Sequence, residues 1–468
     1  MVKRIAVVDN NKLKDMEKKK HIAGLCPVNR KGEECMYFDG PKLLIDEPLC
    51  IGCGICVNAA PESIKIINLP EALNKEPIHR YGENQFALYN LPIPVFGKVT
   101  GVLGVNGIGK STAIKILAGV LKPNLGEFGK EANIKDIINY FKGSEAQLYF
   151  EKVKKGDIKT AYKPQHVDMI PKQFSGKVKE LLEKVNEKKQ LKEIAEKFEL
   201  TKIMDRNVKN ISGGELQRVA IAATFLKKAN LYIFDEITSY LDIKQRVKVA
   251  SLIRELTDDD TAVIVIEHDL IALDYMTDLI NIMYGSDGAY GVVSQLRPTK
   301  NAINSFLEGF LKEENVRFRD HKIKFHVRKP FGIEESLTLT KWPDMEKKLG
   351  DFTLKAEAGE INTYEKIGVL GENGIGKTSF VKILSGEMKP DGKELDLKVK
   401  VSYKPQYLDS DSDEMVMIVL KDAIAKYETE LIIPLEIKPL LLKKIKELSG
   451  GELQRVAIAL CLSRDADL

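Results

Sequence analysis

The stretch Gly104-Val105-Asn106-Gly107-Ile108-Gly109-Lys110-Ser111 recurs as Gly371-Glu372-Asn373-Gly374-Ile375-Gly376-Lys377-Thr378. A glycine-rich loop that feeds a helix leaves backbone N–H groups free to surround phosphates. Its Lys adds a point charge, and its Ser or Thr a hydroxyl for Mg²⁺. Asn106, Gly107, Gly109, Lys110, Ser111 and Thr112 are therefore assigned to one ATP, and Asn373, Gly374, Gly376, Lys377, Thr378 and Ser379 to a second. Downstream of each copy stands Ser-Gly-Gly-Glu-Leu-Gln-Arg, at Ser212–Arg218 and Ser449–Arg455. Such a block opens a helix whose first N–H groups and Ser hydroxyl suit a phosphate. Ser212, Gly213 and Gly214 lie far along the chain from Lys110, as Ser449, Gly450 and Gly451 do from Lys377. Each block is thus expected to complete the site of the other half. The reading is an ATPase whose two halves must meet.

Around these motifs the chain alternates strand and helix, the pattern of a doubly wound α/β sheet. Apolar runs Val99–Leu103, Leu231–Phe234 and Ala262–Ile266 predict buried parallel strands, with helices beginning after Lys110 and after Ser212. Residues 71–283 make the first unit. Residues 284–335 break the pattern with a turn-rich stretch, Tyr284–Gly291, and a basic strip that includes Arg317 and Arg319, which predicts a hinge. Residues 336–468 begin the second unit. Matching the two signature blocks sets Ala229-Asn230-Leu231 against Ala466-Asp467-Leu468. The second unit is therefore expected to be incomplete and unstable alone, its remainder either supplied by a second polypeptide or lost.

The first site needs partners for its loop. Leu231-Tyr-Ile-Phe-Asp235-Glu236 ends a buried strand in two acids. Asp235 would hold Mg²⁺ and Glu236 would orient or deprotonate the attacking water. Gln165, in Tyr-Lys-Pro-Gln, would sense Mg²⁺ and the γ-phosphate, and His268 would contact that phosphate. Gln406 takes the place of Gln165 in the second unit, with Thr378 as its Mg²⁺ hydroxyl. Tyr81 and Phe86 precede the first loop either as adenine-stacking rings or as core aromatics, and Trp342 and Phe352 sit similarly before the second.

Composition narrows the class. The 468 residues are 44% hydrophobic and 30% charged, enough for several cores, and a net charge of +4 leaves any basic surface local. No apolar run approaches the ~20 residues that span a bilayer, and the first ten residues are too polar for a signal peptide. A soluble cytoplasmic protein is expected. Five of the six Cys fall within residues 26–56, which indicates local chemistry rather than disulfides. Cys50-Ile-Gly-Cys53-Gly-Ile-Cys56 is a C-x₂-C-x₂-C run. In ferredoxin-type folds a fourth Cys follows before Pro and ligates the other cluster. Ala60 holds that place here, while upstream Cys26 precedes Pro27. Cys26, Cys50, Cys53 and Cys56 thus predict one [4Fe–4S] cluster, with zinc as the alternative. Leu13, Lys18 and Ile22 stand where upstream ligands of a second cluster would be, and Cys35 and Cys461 are assigned to structure.

The two signature blocks look like those of ABC-type ATPases, in which two units sandwich two ATPs head to tail. A ferredoxin-like head, residues 1–70, on tandem ABC units resembles the ABC-E ribosome-recycling ATPases, the RNase L inhibitor family, of archaeal or eukaryotic type. His79-Arg80-Tyr81, Leu91-Pro-Ile-Pro94, Ser239-Tyr-Leu-Asp242, Ala289-Tyr-Gly-Val-Val293 and Val316-Arg-Phe-Arg319 carry the resemblance across essentially the whole chain. It implies a first site of Lys110, Ser111, Gln165, Asp235, Glu236 and His268, completed by Ser449–Gly451. The second would use Lys377, Thr378 and Gln406, completed by Ser212–Gly214, without acids or a His. It also implies two clusters, of which this chain keeps the ligands of one. The implied function is ATP-driven splitting of ribosomes. The implied partners are the small subunit, met by an insertion near 137–157, ribosomal RNA at Arg317 and Arg319, and a termination or recycling factor, with no membrane. A non-hydrolysing or one-site ribosome-binding factor and an ATP-gated electron carrier are the alternatives, and the two Arg could instead brace the ATPase units.

Overall fold

The computed structural model describes residues 3–468 except 11, 47–48, 62, 70–75, 83–84, 320, 325–336, 351, 393–394, 396, 398 and 406–411. The chain divides into two compact units, Met1–His326 and Val327–Leu468.

The first unit opens with the Cys-rich head. Strand Lys3–Val8 pairs antiparallel with Ile64–Leu69, and the hairpin Met36–Asp39/Lys42–Ile45 joins helices Met16–Leu25 and Ile55–Ala59 around a small apolar core. Asp15 starts the first helix by accepting N–H bonds from Glu17 and Lys18, a cap worth ~1 kcal/mol.

The rest of the first unit is built on an eight-stranded sheet. Its centre is parallel: Leu279–Ser286, Val99–Gly104, Ala262–Ile266, Leu231–Asp235 and Thr160–Lys163 lie side by side in that order. The middle three are fully buried, which is why their sequences are continuous apolar runs rather than alternating ones. Helices cover both faces, and two separate apolar clusters fill the layers above and below the sheet. All three central strands point their C-terminal ends toward the phosphate loop, the place where open α/β sheets bind ligands.

The expected start of a hinge at residue 284 is corrected. Leu279–Ser286 and Tyr290–Pro298 form an antiparallel hairpin inside the sheet, and Tyr290–Val292 pairs onward with Ala87–Tyr89. The turn-rich residues that looked like a linker are the tip of this hairpin, with Gly288 at φ +70°. Arg319 is committed to local structure as well. Its guanidinium donates to the carbonyls of Phe306 and Leu307 at the end of helix Thr299–Glu308, and to that of His321. It thereby satisfies carbonyls that a helix end leaves unpaired. Arg317 stays exposed over the Phe310 ring. Between the loop helix and the strand at Thr160, helices Ile134–Tyr140 and Glu145–Lys155 pack through Ile137, Tyr149 and Phe150, and the Tyr149 hydroxyl donates to the Leu117 carbonyl.

The second unit repeats the first down to single hydrogen bonds. Asn230 and Leu231 donate backbone N–H bonds to the Lys159 carbonyl, while the Asn230 side chain accepts from the Lys159 N–H. Asp467 and Leu468 make the same bonds with Lys400. The segment equivalent to Val99–Gly104, residues 366–371, pairs with no strand among the described residues, and Leu370 is 81% exposed where Leu103 is 1%.

Candidate functional site

The first loop leaves strand Val99–Gly104 and enters helix Lys110–Leu117 through Gly109. Two of its glycines are forced. Gly107 sits at φ +78°, and a Cβ there would fall 1.6 Å from the Asp287 carboxylate at the hairpin tip. Gly109 sits at φ +87° with the Phe86 ring 2.4 Å from where a Cβ would be. Phe86 is therefore a support beneath the loop. Tyr81 is half exposed and donates or accepts at Thr112 Oγ1 over 3.1 Å, so it is the ring free to stack. Lys110 Nζ reaches back to the Gly104 and Val105 carbonyls at 2.9 and 2.7 Å and to Asn106 at 3.3 Å. Burial pulls its pKa down to about 8, against the opposing charges of Glu236 and Asp235.

One cleft brings together Tyr81, Phe86, Asn106, Gly107, Gly109, Lys110, Ser111, Thr112, Gln165, Asp235 and Glu236. Asp235 is buried, and its carboxyl is pushed up to about 6 by desolvation and by the neighbouring Glu236 charge, with Lys163 and Lys110 opposing. The Gln165 amide donates to Glu236 Oε1 at 2.6 Å, and His268 Nε2 lies 3.7 Å from the same oxygen. Burial and the Lys110 charge hold the His268 pKa below its usual value, so this ring is uncharged near neutral pH. Glu236 itself has φ +48°, a left-handed backbone that costs roughly 1–2 kcal/mol for a non-glycine residue.

Three residues escaped the sequence reading. Lys163, 1% exposed, donates to the carbonyls of Asp235 and Glu236 at 2.8 and 3.0 Å. Burial lowers its pKa to about 8. Gln217, in the signature helix, donates to the carbonyls of Glu236 and Ile237. Glu267, buried, accepts from Thr238 and from the His268 N–H, tying the acid strand to the His strand. A lysine inside the buried strand Thr160–Lys163 was the available signal, because an unpaired cation is not left in a core.

The signature block is preorganised. Ser212 caps helix Gly213–Phe225: its Oγ accepts from the Glu215 N–H, and Glu215 accepts from the Ser212 N–H. Ser449 and Glu452 make the same box at helix Gly450–Leu462. Ser212, Gly213 and Gly214 do not line the first cleft. In the second unit Lys377 Nζ folds onto the Gly371 and Glu372 carbonyls at 2.7 and 2.6 Å, and Gly374 and Gly376 sit at φ +84° and +95°. Phe352 lies under Gly376 as Phe86 lies under Gly109. Asn373, Thr378 and Ser379 keep their places on this loop and helix. Gln406 lies outside the described residues.

In the head, Cys26, Cys50, Cys53 and Cys56 line one pocket, walled by Ala6, Val28, Met36 and Ile66. The Ala6 N–H donates to Cys50 Sγ at 3.4 Å. Cys35 lines this pocket too, rather than standing apart, and burial together with Cys26 and Cys50 pushes its thiol pKa up. Leu13, Ile22 and Ala60 are buried side by side in the head core, while Lys18 is exposed.

Comparison with known proteins places this arrangement. The ABC transporter family model matches residues 95–239 and 354–468. ABC transporter E family member 1 of Arabidopsis thaliana is 45% identical over 99% of this chain and 80% of its own length. The chain belongs to the E family of ABC proteins. A solved model of ribosome-bound archaeal Pelota and ABCE1 contains a chain that matches all of this one and 80% of itself, at 47% identity and a TM-score of 0.91. The archaeal ribosome recycling factor aABCE1, solved with ribosomal stalk protein aP1, is 49% identical over 84% of this chain and 77% of its own, with a TM-score of 0.79. This ABC-E protein is an ATPase with tandem ABC units, and among its described residues no helix is long and apolar enough to cross a membrane.

Proposed function

We propose that this ABC-E protein binds and hydrolyses ATP at the Lys110–Glu236 cleft and uses the cycle to split ribosomes into subunits in the cytoplasm. The observation that carries the reading is the convergence of Lys110, Ser111, Gln165, Asp235 and Glu236 on one cleft, with His268 Nε2 3.7 Å from the Glu236 carboxylate. Recognition of the ribosome rests on the similarity to ribosome-bound ABCE1. Tyr81 stacks on the base, and the loop N–H groups with Lys110 hold the phosphates. Ser111, Asp235 and Gln165 would hold Mg²⁺, which would supply positive charge to offset that of the phosphates. Glu236 orients and deprotonates the attacking water. Ser212, Gly213 and Gly214, and Ser449, Gly450 and Gly451, each at the start of a helix, would bind ATP phosphate, as would Lys377, Thr378 and Gln406. Partners are the small subunit, met by the helices Ile134–Tyr140 and Glu145–Lys155, ribosomal RNA at exposed Arg317, and a termination or recycling factor.

The test is sedimentation of ribosomes incubated with the protein, ATP and a release factor. Monosomes are expected to convert to subunits with wild type. Unchanged monosomes, beside intact ATP hydrolysis, would contradict the reading.

In the head, Cys26, Cys50, Cys53 and Cys56 would hold one [4Fe–4S] cluster, which supplies four metal–thiolate bonds that pin the small domain. The donor set fits: the four thiols line one largely apolar pocket, with Cys35 as a fifth thiol beside them and the Ala6 N–H aimed at the Cys50 sulfur. A second cluster does not fit, because Leu13, Ile22 and Ala60 are buried apolar residues of the head core and offer no ligand. Protein purified without oxygen is expected to carry about four irons per chain, and Cys50→Ser is expected to lose most of them. About eight irons, or zinc in their place, would overturn this assignment.

A further inference from the structure

Glu236 must hold an unfavourable backbone conformation, and two side chains from distant segments hold it there. Its carbonyl accepts from Lys163 Nζ at 3.0 Å and from the Gln217 amide at 2.7 Å. The same two side chains grip its neighbours, Lys163 at the Asp235 carbonyl and Gln217 at that of Ile237. Both are 1% exposed, so these bonds work without competition from water. The Glu236 N–H is fixed separately by the Ile266 carbonyl. With both ends of the residue bonded, the left-handed turn is over-determined, the condition under which backbone strain persists at a functional position.

The second unit supplies an independent observation. Lys404, the lysine of its Tyr-Lys-Pro-Gln, donates to Oε1 of Gln454, the residue matching Gln217, at 2.6 Å. The two positions are therefore neighbours in the second unit as well. In the first, both donors instead turn to the carbonyls around Glu236, and the Gln217 Oε1 is left buried with no hydrogen-bond partner. A buried acceptor left unpaired is unfavourable, so the amide is oriented for its donor end.

We infer that Lys163 and Gln217 are positioning residues for hydrolysis: together they clamp the backbone of Glu236 so that its carboxylate meets Gln165 and the attacking water. Lys163 belongs to the strand that leads into Gln165, and Gln217 to the signature helix that starts at Ser212. The clamp thus ties the aim of Glu236 to both elements. A signature helix that shifts takes Gln217, and with it the Glu236 carbonyl, along. This inference rests on Glu236 being the residue that acts on the water.

The test uses the full chain and four proteins: wild type, Lys163→Met, Glu236→Gln and the double variant. Single-turnover hydrolysis and affinity for a fluorescent ATP analogue are read on each. Lys163→Met is expected to slow hydrolysis at least about tenfold, toward the ~100-fold that a misplacement of ~1 Å costs, with affinity within about twofold. In the Glu236→Gln background it is expected to add nothing, because both changes act through one carboxylate. Gln217→Leu is expected to follow the same pattern and decides the matter should Lys163→Met fail to fold, with Lys163→Arg restoring part of the rate. Hydrolysis by Lys163→Met and Gln217→Leu within threefold of wild type, an equal loss of affinity, or a full further loss in the double variant would overturn the clamp while leaving the role of Glu236 standing. Full activity of Glu236→Gln alone would instead remove the reading beneath it.

Discussion

Replacing Glu236 by Gln is expected to lower single-turnover ATP hydrolysis by about 10²- to 10³-fold, within the range for loss of a general base, and to leave ATP affinity within about twofold. The change is isosteric, so the left-handed backbone and its carbonyl bonds to Lys163 and Gln217 are undisturbed. What is lost is the ability to accept a proton from water. No neighbour replaces it. Asp235 is buried against Lys163 and Lys110 and is assigned to Mg²⁺. His268 is close and uncharged near neutral pH, but it faces the side chain being replaced rather than standing in its position. Lys110 and the loop N–H groups, which hold the phosphates, are untouched. Turnover within threefold of wild type would show that Glu236 is not the residue acting on water.

Much of the site was legible because phosphate binding is a local problem. Gly107 and Gly109 carry positive φ for steric reasons visible in the spacing of the motif, and Lys110 and Ser111 follow them on one helix turn. The central strands were legible too, since burial on both faces leaves apolar runs at 99–104, 231–235 and 262–266. What stayed hidden depends on segments that meet only in the fold. Lys163, Gln217 and Glu267 are polar residues in otherwise apolar surroundings, and their purpose appears only when three segments are brought to the end of one strand. Residues 284–298 read as the start of a hinge because Gly285, Asp287 and Gly288 make a turn, and a turn inside a sheet has the same composition as a linker. Phe86 illustrates the same limit at one residue. An aromatic before the loop allowed two readings, stacking on a base or core packing, and the structure sets the Phe86 ring against Gly109 in the lining of the cleft, with Tyr81 half exposed beside it.

The signature glycines give the second large effect. A carboxylate at the start of helix Gly450–Leu462 would replace a helix terminus that favours phosphate by a repulsive charge. Gly451→Asp is therefore expected to cut hydrolysis by about 100-fold, comparable to the loss of a preorganised oxyanion donor. Gly214→Asp, on the matching helix of the first unit, is expected to leave it within about threefold, although that helix belongs to the same unit as Lys110 and Glu236. Both positions begin helices of the same length with the same capping box, so a general effect on folding would strike them alike. Side-by-side single-turnover hydrolysis by these two variants is the most direct test of the proposed roles of the two signature blocks in ATP hydrolysis at the Lys110–Glu236 cleft. Selective loss in Gly451→Asp is the predicted result. Equal losses, or a larger loss in Gly214→Asp, would contradict it.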